Sequence, residues 1–161
     1  MTHSHEHGTI ALLYPRPEHA IMIERWCKDA NIPCVPDGKL HCTLLFSRKP
    51  LPALRDMYQS RIRVDSRIKG WKLLGTALVL ELDAPHAEML HGLMISQGGT
   101  HDYPAYIPHM TICYEWTRDD LPDLSPSIDI IFDKLSIMGI DPKYAIQAGN
   151  TDKYLTINER T

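Results

Sequence analysis

No stretch of this chain holds enough consecutive apolar residues to cross a bilayer, and no charged-apolar-small leader opens it. The expectation is therefore a cytoplasmic protein with no membrane partner. Cysteine is sparse, and Cys27, Cys34, Cys42 and Cys113 form no C-x-x-C pair. They are expected as small buried hydrophobes and not as disulfides. Zinc-ligand spacing and a Gly-rich phosphate loop are both missing, so no metal and no cofactor is expected. An excess of positive charge is missing too: the formal net charge is −3 over 161 residues. A protein that coats long nucleic acid is normally basic, so that class is excluded, whereas a small anion in a local basic cleft is compatible. Finally, no low-complexity linker divides the chain, which is expected to form a single domain over residues 1–161.

Hydrophobic patterning predicts a buried strand over Thr9–Tyr14 and a helix over Glu18–Asp29, ended by Asn31 and Pro33. A strand over Leu40–Phe46 and a short helix over Pro52–Gln59 follow. Strands over Ile68–Leu74 and Thr76–Asp83 are joined by a tight turn at Gly75. Pro85 opens a helix to Gln97, stopped by Gly98-Gly99, and a Tyr/Pro-rich loop leads to a strand over His109–Tyr114. Two more strands are expected over Ile128–Phe132 and Lys134–Ile140, with the last dozen residues unassigned. This order predicts an α+β fold with antiparallel-rich sheets and helices outside. His3, His5 and His7 are expected in a flexible polar terminus.

A weak internal echo carries the chemistry. Leu40-His-Cys-Thr-Leu-Leu-Phe46 and Pro108-His-Met-Thr-Ile-Cys-Tyr114 share His-x-Thr followed by apolar residues. Side chains alternate along a strand, so His41 and Thr43 share one face, about 6.6–6.8 Å apart along the axis, with Cys42 and Leu44 facing a core. The same holds for His109 and Thr111. A third copy, His7-Gly8-Thr9, is discounted because Gly8 interrupts it and no apolar strand residue precedes it. If the two strands meet, two imidazoles and two hydroxyls converge. A neutral imidazole removes a proton, a protonated one supplies a proton to the leaving oxygen, and the threonines donate to phosphate oxygens.

These motifs resemble the duplicated H-x-T-apolar signature of the two-histidine (2H) phosphoesterases. Asn31-Ile-Pro, Leu40-His-Cys-Thr-Leu-Leu-Phe-Ser-Arg-Lys and Tyr106-Ile-Pro-His-Met-Thr are most similar to phage anti-CBASS nucleases, which degrade the cyclic di- and trinucleotide signals of bacterial immunity. The resemblance implies a bilobal fold of two pseudo-symmetric sheets around a central cleft. It also implies metal-independent cleavage of 3′-5′ bonds next to a free 2′-hydroxyl, in the cytoplasm of an infected bacterial host. His41, Thr43, His109 and Thr111 are then the catalytic groups.

A cyclic oligonucleotide ligand calls for aromatic platforms and cations. Trp71 resembles the family's base-stacking tryptophan, Tyr14 is placed to cap a second base, and Tyr106 to close over the site. Each has a plainer reading as a packing residue. Arg48 and Lys49 are the first choices for phosphate, against a solvated strand end. Arg61, Arg63, Arg67 and Lys69 are expected to be solvated, and His19, His86, His91 and His101 to lie at the surface. Two other functions stay open: an RNA 2′,3′-cyclic or 2′-5′ phosphodiesterase, and a non-catalytic nucleotide sponge.

Overall fold

The computed structural model describes residues 4–142. Six antiparallel strands close into one barrel, with three helices in the order β1 (Thr9–Pro15), α1 (Pro17–Asp29), β2 (Cys42–Ser47), α2 (Leu54–Met57), β3 (Arg61–Leu74), β4 (Ala77–Asp83), α3 (Pro85–Ser96), β5 (His109–Cys113) and β6 (Asp129–Gly139). Neighbours around the barrel run β1-β2-β5-β4-β3-β6. The α+β class and the helices outside therefore hold. None of the helices among the described residues is long and apolar enough to cross a membrane.

Strand alternation sorts the two faces. Ala11, Leu13, Cys42, Leu44, Leu80, Met110 and Ile112 belong to the large core cluster, together with Ala20, Ile23 and Cys27 of α1 and Ala87, Leu90 and Met94 of α3. That face is the outside of the barrel, roofed by helices. The intervening residues of β1 point inward, where Ile10, Leu12, Phe46 and Ile140 form a smaller cluster with Tyr14 and Met138 packed on it. Burying a side chain such as Leu80 or Met110 stabilises by about 1.5–3 kcal/mol, so a one-residue slip in either motif strand is strongly disfavoured.

The halves of the barrel touch at a narrow seam. β2 pairs with β5 at Cys42 opposite Met110, and the two strands diverge on either side. The segment leading to each motif crosses to the other motif's strand. Val35 N–H donates to the Ile112 carbonyl at 2.8 Å, and the Tyr106 hydroxyl donates to the Thr43 carbonyl at 2.7 Å. The internal echo in the sequence is thus a reciprocal exchange in space.

Three expectations are corrected. The strands expected over 128–132 and 134–140 are one strand, β6. Phe132 and Leu135 are both core residues three apart, which breaks period two, and a register shift opposite Tyr14/Pro15 absorbs the extra residue. β3 begins at Arg61, seven residues before Ile68, because Arg61, Arg63, Asp65 and Arg67 alternate as its exposed face. His5–His7 is a 3-10 turn and not a loose terminus, tied by His5 Nδ1 at 2.6 Å from Thr9 Oγ1. Gly8 after it has φ 120°, and a Cβ there would lie 2.1 Å from the Ser47 carbonyl oxygen, so only glycine fits. His3 and the final dozen residues lie outside the described part of the chain.

Candidate active site

Antiparallel pairing at Cys42–Met110 sets Thr43 toward His109 and His41 toward Thr111. The two imidazoles therefore occupy one diagonal of a four-residue patch and the two hydroxyls the other. Thr43 and His109 line a single cavity. His109 and Thr111 are each only 4% exposed, whereas His41 and Thr43 are half-buried.

Both imidazoles are oriented by the same local device. His41 Nδ1 lies 2.9 Å from the Lys39 carbonyl oxygen, and His109 Nδ1 lies 2.6 Å from that of Ile107. A carbonyl only accepts, so each Nδ1 carries the hydrogen and donates it to the residue two positions back. Nε2 is then the nitrogen of each ring that can take up or release a proton. Thr43 Oγ1 and Thr111 Oγ1 are buried without a hydrogen-bond partner among the described residues. Buried hydroxyls are ordinarily satisfied, and leaving one unmade costs about 1–3 kcal/mol. Two such groups on one patch are able to donate to an acceptor placed between them.

The inner face supplies more than the motifs. Tyr14 sits beside His41 with ring centroids 6.2 Å apart and tilted 55°. Lys134 Nζ lies 5.6 Å from the Tyr14 ring, and burial pushes the Tyr14 hydroxyl above its ordinary value. Lys72 stands opposite Val79, which stands opposite Thr111, so the half-buried Lys72 shares the motif face. Glu81 stands opposite His109 and is bridged to Lys69 at 3.2 Å. Lys72, Lys134 and Glu81 were not expected beside the motifs. For Lys72 the signal was present, because a hairpin turned at Gly75 fixes the alternation of both its strands.

Of the other expected binding residues, Tyr106 lines the same cavity as Thr43 and His109, and Trp71 does not. Trp71 is opposite Leu80, which is opposite Met110, so its ring leaves the sheet on the helix side, away from the histidines. There it packs 6.2 Å from Trp26 and donates its indole N–H to the Leu124 carbonyl at 2.8 Å. Arg48 makes a bidentate pair with Asp102, both bonds 2.9 Å, and so fastens the loop before β5 to the end of β2. Lys49 reaches Gly98 beyond the end of α3, where an added Cβ would lie 3.4 Å from its Nζ. Tyr106 spends its hydroxyl on the Thr43 carbonyl. Among the described residues, no group of three or more His, Cys, Asp or Glu is placed to hold a metal ion.

His91, expected at the surface, is 8% exposed, and its Nδ1 lies 2.7 Å from the Leu44 carbonyl oxygen. Burial pulls this imidazole below its ordinary 6.5, the Leu44 carbonyl opposes the shift, and His101 adds to it. The unfolded chain therefore takes up this proton more readily. Stability is full above pH 6.5 and falls below it, until the lower folded value is passed. Urea midpoints measured from pH 8 down to 5 are expected to show this acid loss, with a shallower slope in His91→Gln.

Residues 15–145, which include both motifs, match the family described as Anti-CBASS protein Acb1. This chain belongs to that family. Curated relatives of the same description include those of Acinetobacter phage Ac42, 34% identical over 55% of this chain and 59% of theirs, and Enterobacteria phage T4, 32% identical over 50% and 53%. The Acb1 of Vibrio phage KVP40 is 36% identical over 52% and 55%. The chain thus spans between half and three-fifths of the length of these relatives. In fold, the chain is similar to Escherichia coli LigT complexed with 3′-AMP, with TM-score 0.58 and 14% identity over 80% of this chain and 85% of that one. A further likeness is to a solved phosphoesterase, with TM-score 0.54 and 16% identity over 80% and 85%. The expected 2H phosphoesterase fold is therefore present.

Proposed function

We propose that this Acb1 family member is a metal-independent phosphodiesterase that cleaves 3′-5′ bonds of cyclic di- and trinucleotide immune messengers in the cytoplasm of a phage-infected bacterium. One observation carries the reading: both motif imidazoles have Nδ1 tied to the carbonyl two residues back, on one face with two buried threonine hydroxyls.

The chemistry follows from that arrangement. One Nε2, unprotonated, takes the proton of a ribose 2′-hydroxyl as its oxygen attacks the adjacent phosphorus. The other Nε2, protonated, gives its proton to the departing 5′-oxygen. The Thr43 and Thr111 hydroxyls donate to the non-bridging oxygens as charge builds on them. The product end is a 2′,3′-cyclic phosphate, which water opens in a second passage with the imidazole roles exchanged. Each proton transfer is worth about 10²- to 10⁴-fold, and each oxyanion donor about 10²- to 10³-fold. Tyr14 offers a base-sized ring beside His41, while Lys72 and Lys134 offer positive charge on the same face. The relatives' shared name, the solved LigT complexes with 3′-AMP and with ATP, and the net charge of −3 all favour a compact nucleotide over long RNA.

The test is incubation with cyclic dinucleotides, cyclic trinucleotides and 2′,3′-cyclic-ended RNA in excess EDTA, with products followed by chromatography. Linear products from the cyclic messengers are expected. Exclusive opening of RNA ends, or binding without any product, overturns the proposal in favour of an RNA-end phosphodiesterase or a sponge. Turnover that EDTA abolishes overturns metal independence.

A further inference from the structure

The strand that presents Thr43 is held unusually. Its ladder with β5 is confined to Cys42 opposite Met110. Its ladder with β1 skips a residue, because Ala11 stands opposite Leu45 but Leu12 opposite Thr43. A bulge leaves local backbone direction weakly specified by the sheet, and here the bulge adjoins a motif hydroxyl. Two side chains act on this stretch. The Tyr106 hydroxyl donates to the Thr43 carbonyl at 2.7 Å. His91, from α3, donates its Nδ1–H to the next carbonyl, that of Leu44, at 2.7 Å. The two rings are stacked on each other, centroids 4.2 Å apart and only 8° from parallel. His101 sets its ring edge against His91 at 4.7 Å. The same loop is anchored by Asp102 on Arg48 and by Thr100 Oγ1, which accepts from Arg48 N–H at 2.9 Å.

We propose that the stacked His91–Tyr106 pair is a positioning clamp for Thr43. By fixing two consecutive carbonyls on the bulged strand, the pair sets the peptide planes on both sides of Leu44. It thereby sets the direction of the Thr43 hydroxyl, whose oxygen is buried with no hydrogen-bond partner among the described residues. A donor to a transition state must be held within about 0.5 Å of its place, and a displacement of about 1 Å can cost about 10²-fold. The clamp makes Tyr106 a positioning residue acting through Thr43, in place of a lid over the cleft. This inference rests on the reading of Thr43 as a transition-state donor.

A double-mutant cycle tests it. Tyr106→Phe keeps the stacked ring and removes the hydroxyl; it is expected to lower kcat about 10- to 100-fold, with KM within about twofold. In a Thr43→Val background the same change is expected to be nearly silent, because the hydroxyl it positions is gone. His91→Gln, which retains an N–H donor for Leu44, is expected to keep most of the activity, and His91→Leu to lose it as Tyr106→Phe does. A readout independent of turnover is the set of three-bond NMR couplings of the Thr43 side chain, which should report one rotamer in the wild type and averaging in Tyr106→Phe. Additive effects in the cycle, or a Thr43 rotamer indifferent to Tyr106→Phe, would overturn the clamp. Should the wild type cleave none of the nucleotides, the proposed reaction fails while the couplings still decide the clamp.

Discussion

His41→Ala and His109→Ala are each expected to reduce cleavage of a cyclic dinucleotide by about 10²- to 10⁴-fold, while the ligand still binds. In the proposed reaction each removal deletes one of two proton carriers that act in a single step. The double variant is therefore expected to be little worse than either single one, because groups that work as a unit lose their effect together. Folding should survive. The His41 hydrogen bond at Nδ1 is local, to Lys39, and the ring is half-buried. His109 is more enclosed, but its hydrogen bond at Nδ1 is equally local, to Ile107. Steady-state kinetics with circular dichroism on the same samples separates loss of chemistry from loss of structure. An undiminished rate in either variant removes that residue from the mechanism. Lost binding in both would point to a role in holding the nucleotide and not in moving protons.

The second large effect opposes stability and activity at one atom. Thr43→Val and Thr111→Val replace a buried hydroxyl with a methyl of nearly the same shape. Each oxygen lacks a hydrogen-bond partner among the described residues, so its removal is expected to leave folding unchanged or to stabilise it by about 1 kcal/mol. Turnover is expected to fall about 10²- to 10³-fold per site, as for loss of an oxyanion donor. A threonine that served the fold would show the reverse, a clear drop in the urea midpoint at near-normal rate. Paired measurement of midpoint and kcat therefore distinguishes a group held for the reaction from one held for the core.

The shared face of the two motifs was legible where chemistry and period-two alternation coincide. Cys42, Leu44, Met110 and Ile112 are fully buried under the helices, and that alone turns His41, Thr43, His109 and Thr111 to the opposite face. What was not legible depends on long-range pairing. Arg48 looked like a phosphate ligand, but its carboxylate partner is 54 residues away in a loop that lies along β2. Trp71 looked like a base platform, but its register with Leu80 and Met110 turns it toward Trp26. His91 carries no partner pattern in the sequence, because its carbonyl acceptor on Leu44 comes from another element. Closure of the barrel through β6, between β3 and β1, was hidden by the extra residue between Phe132 and Leu135. Local pattern finds which face a residue takes; only the assembled sheet says what stands opposite.

The most direct measurement is a crystal structure of the protein with a 2′-deoxy cyclic dinucleotide, which lacks the attacking hydroxyl and so stays intact. One phosphate is expected between the two rings, with His41 Nε2 near the absent hydroxyl or the leaving oxygen, His109 Nε2 near the other, and Thr43 and Thr111 on the non-bridging oxygens. A phosphate contacted by one imidazole alone, or a nucleotide seated away from both, would contradict it.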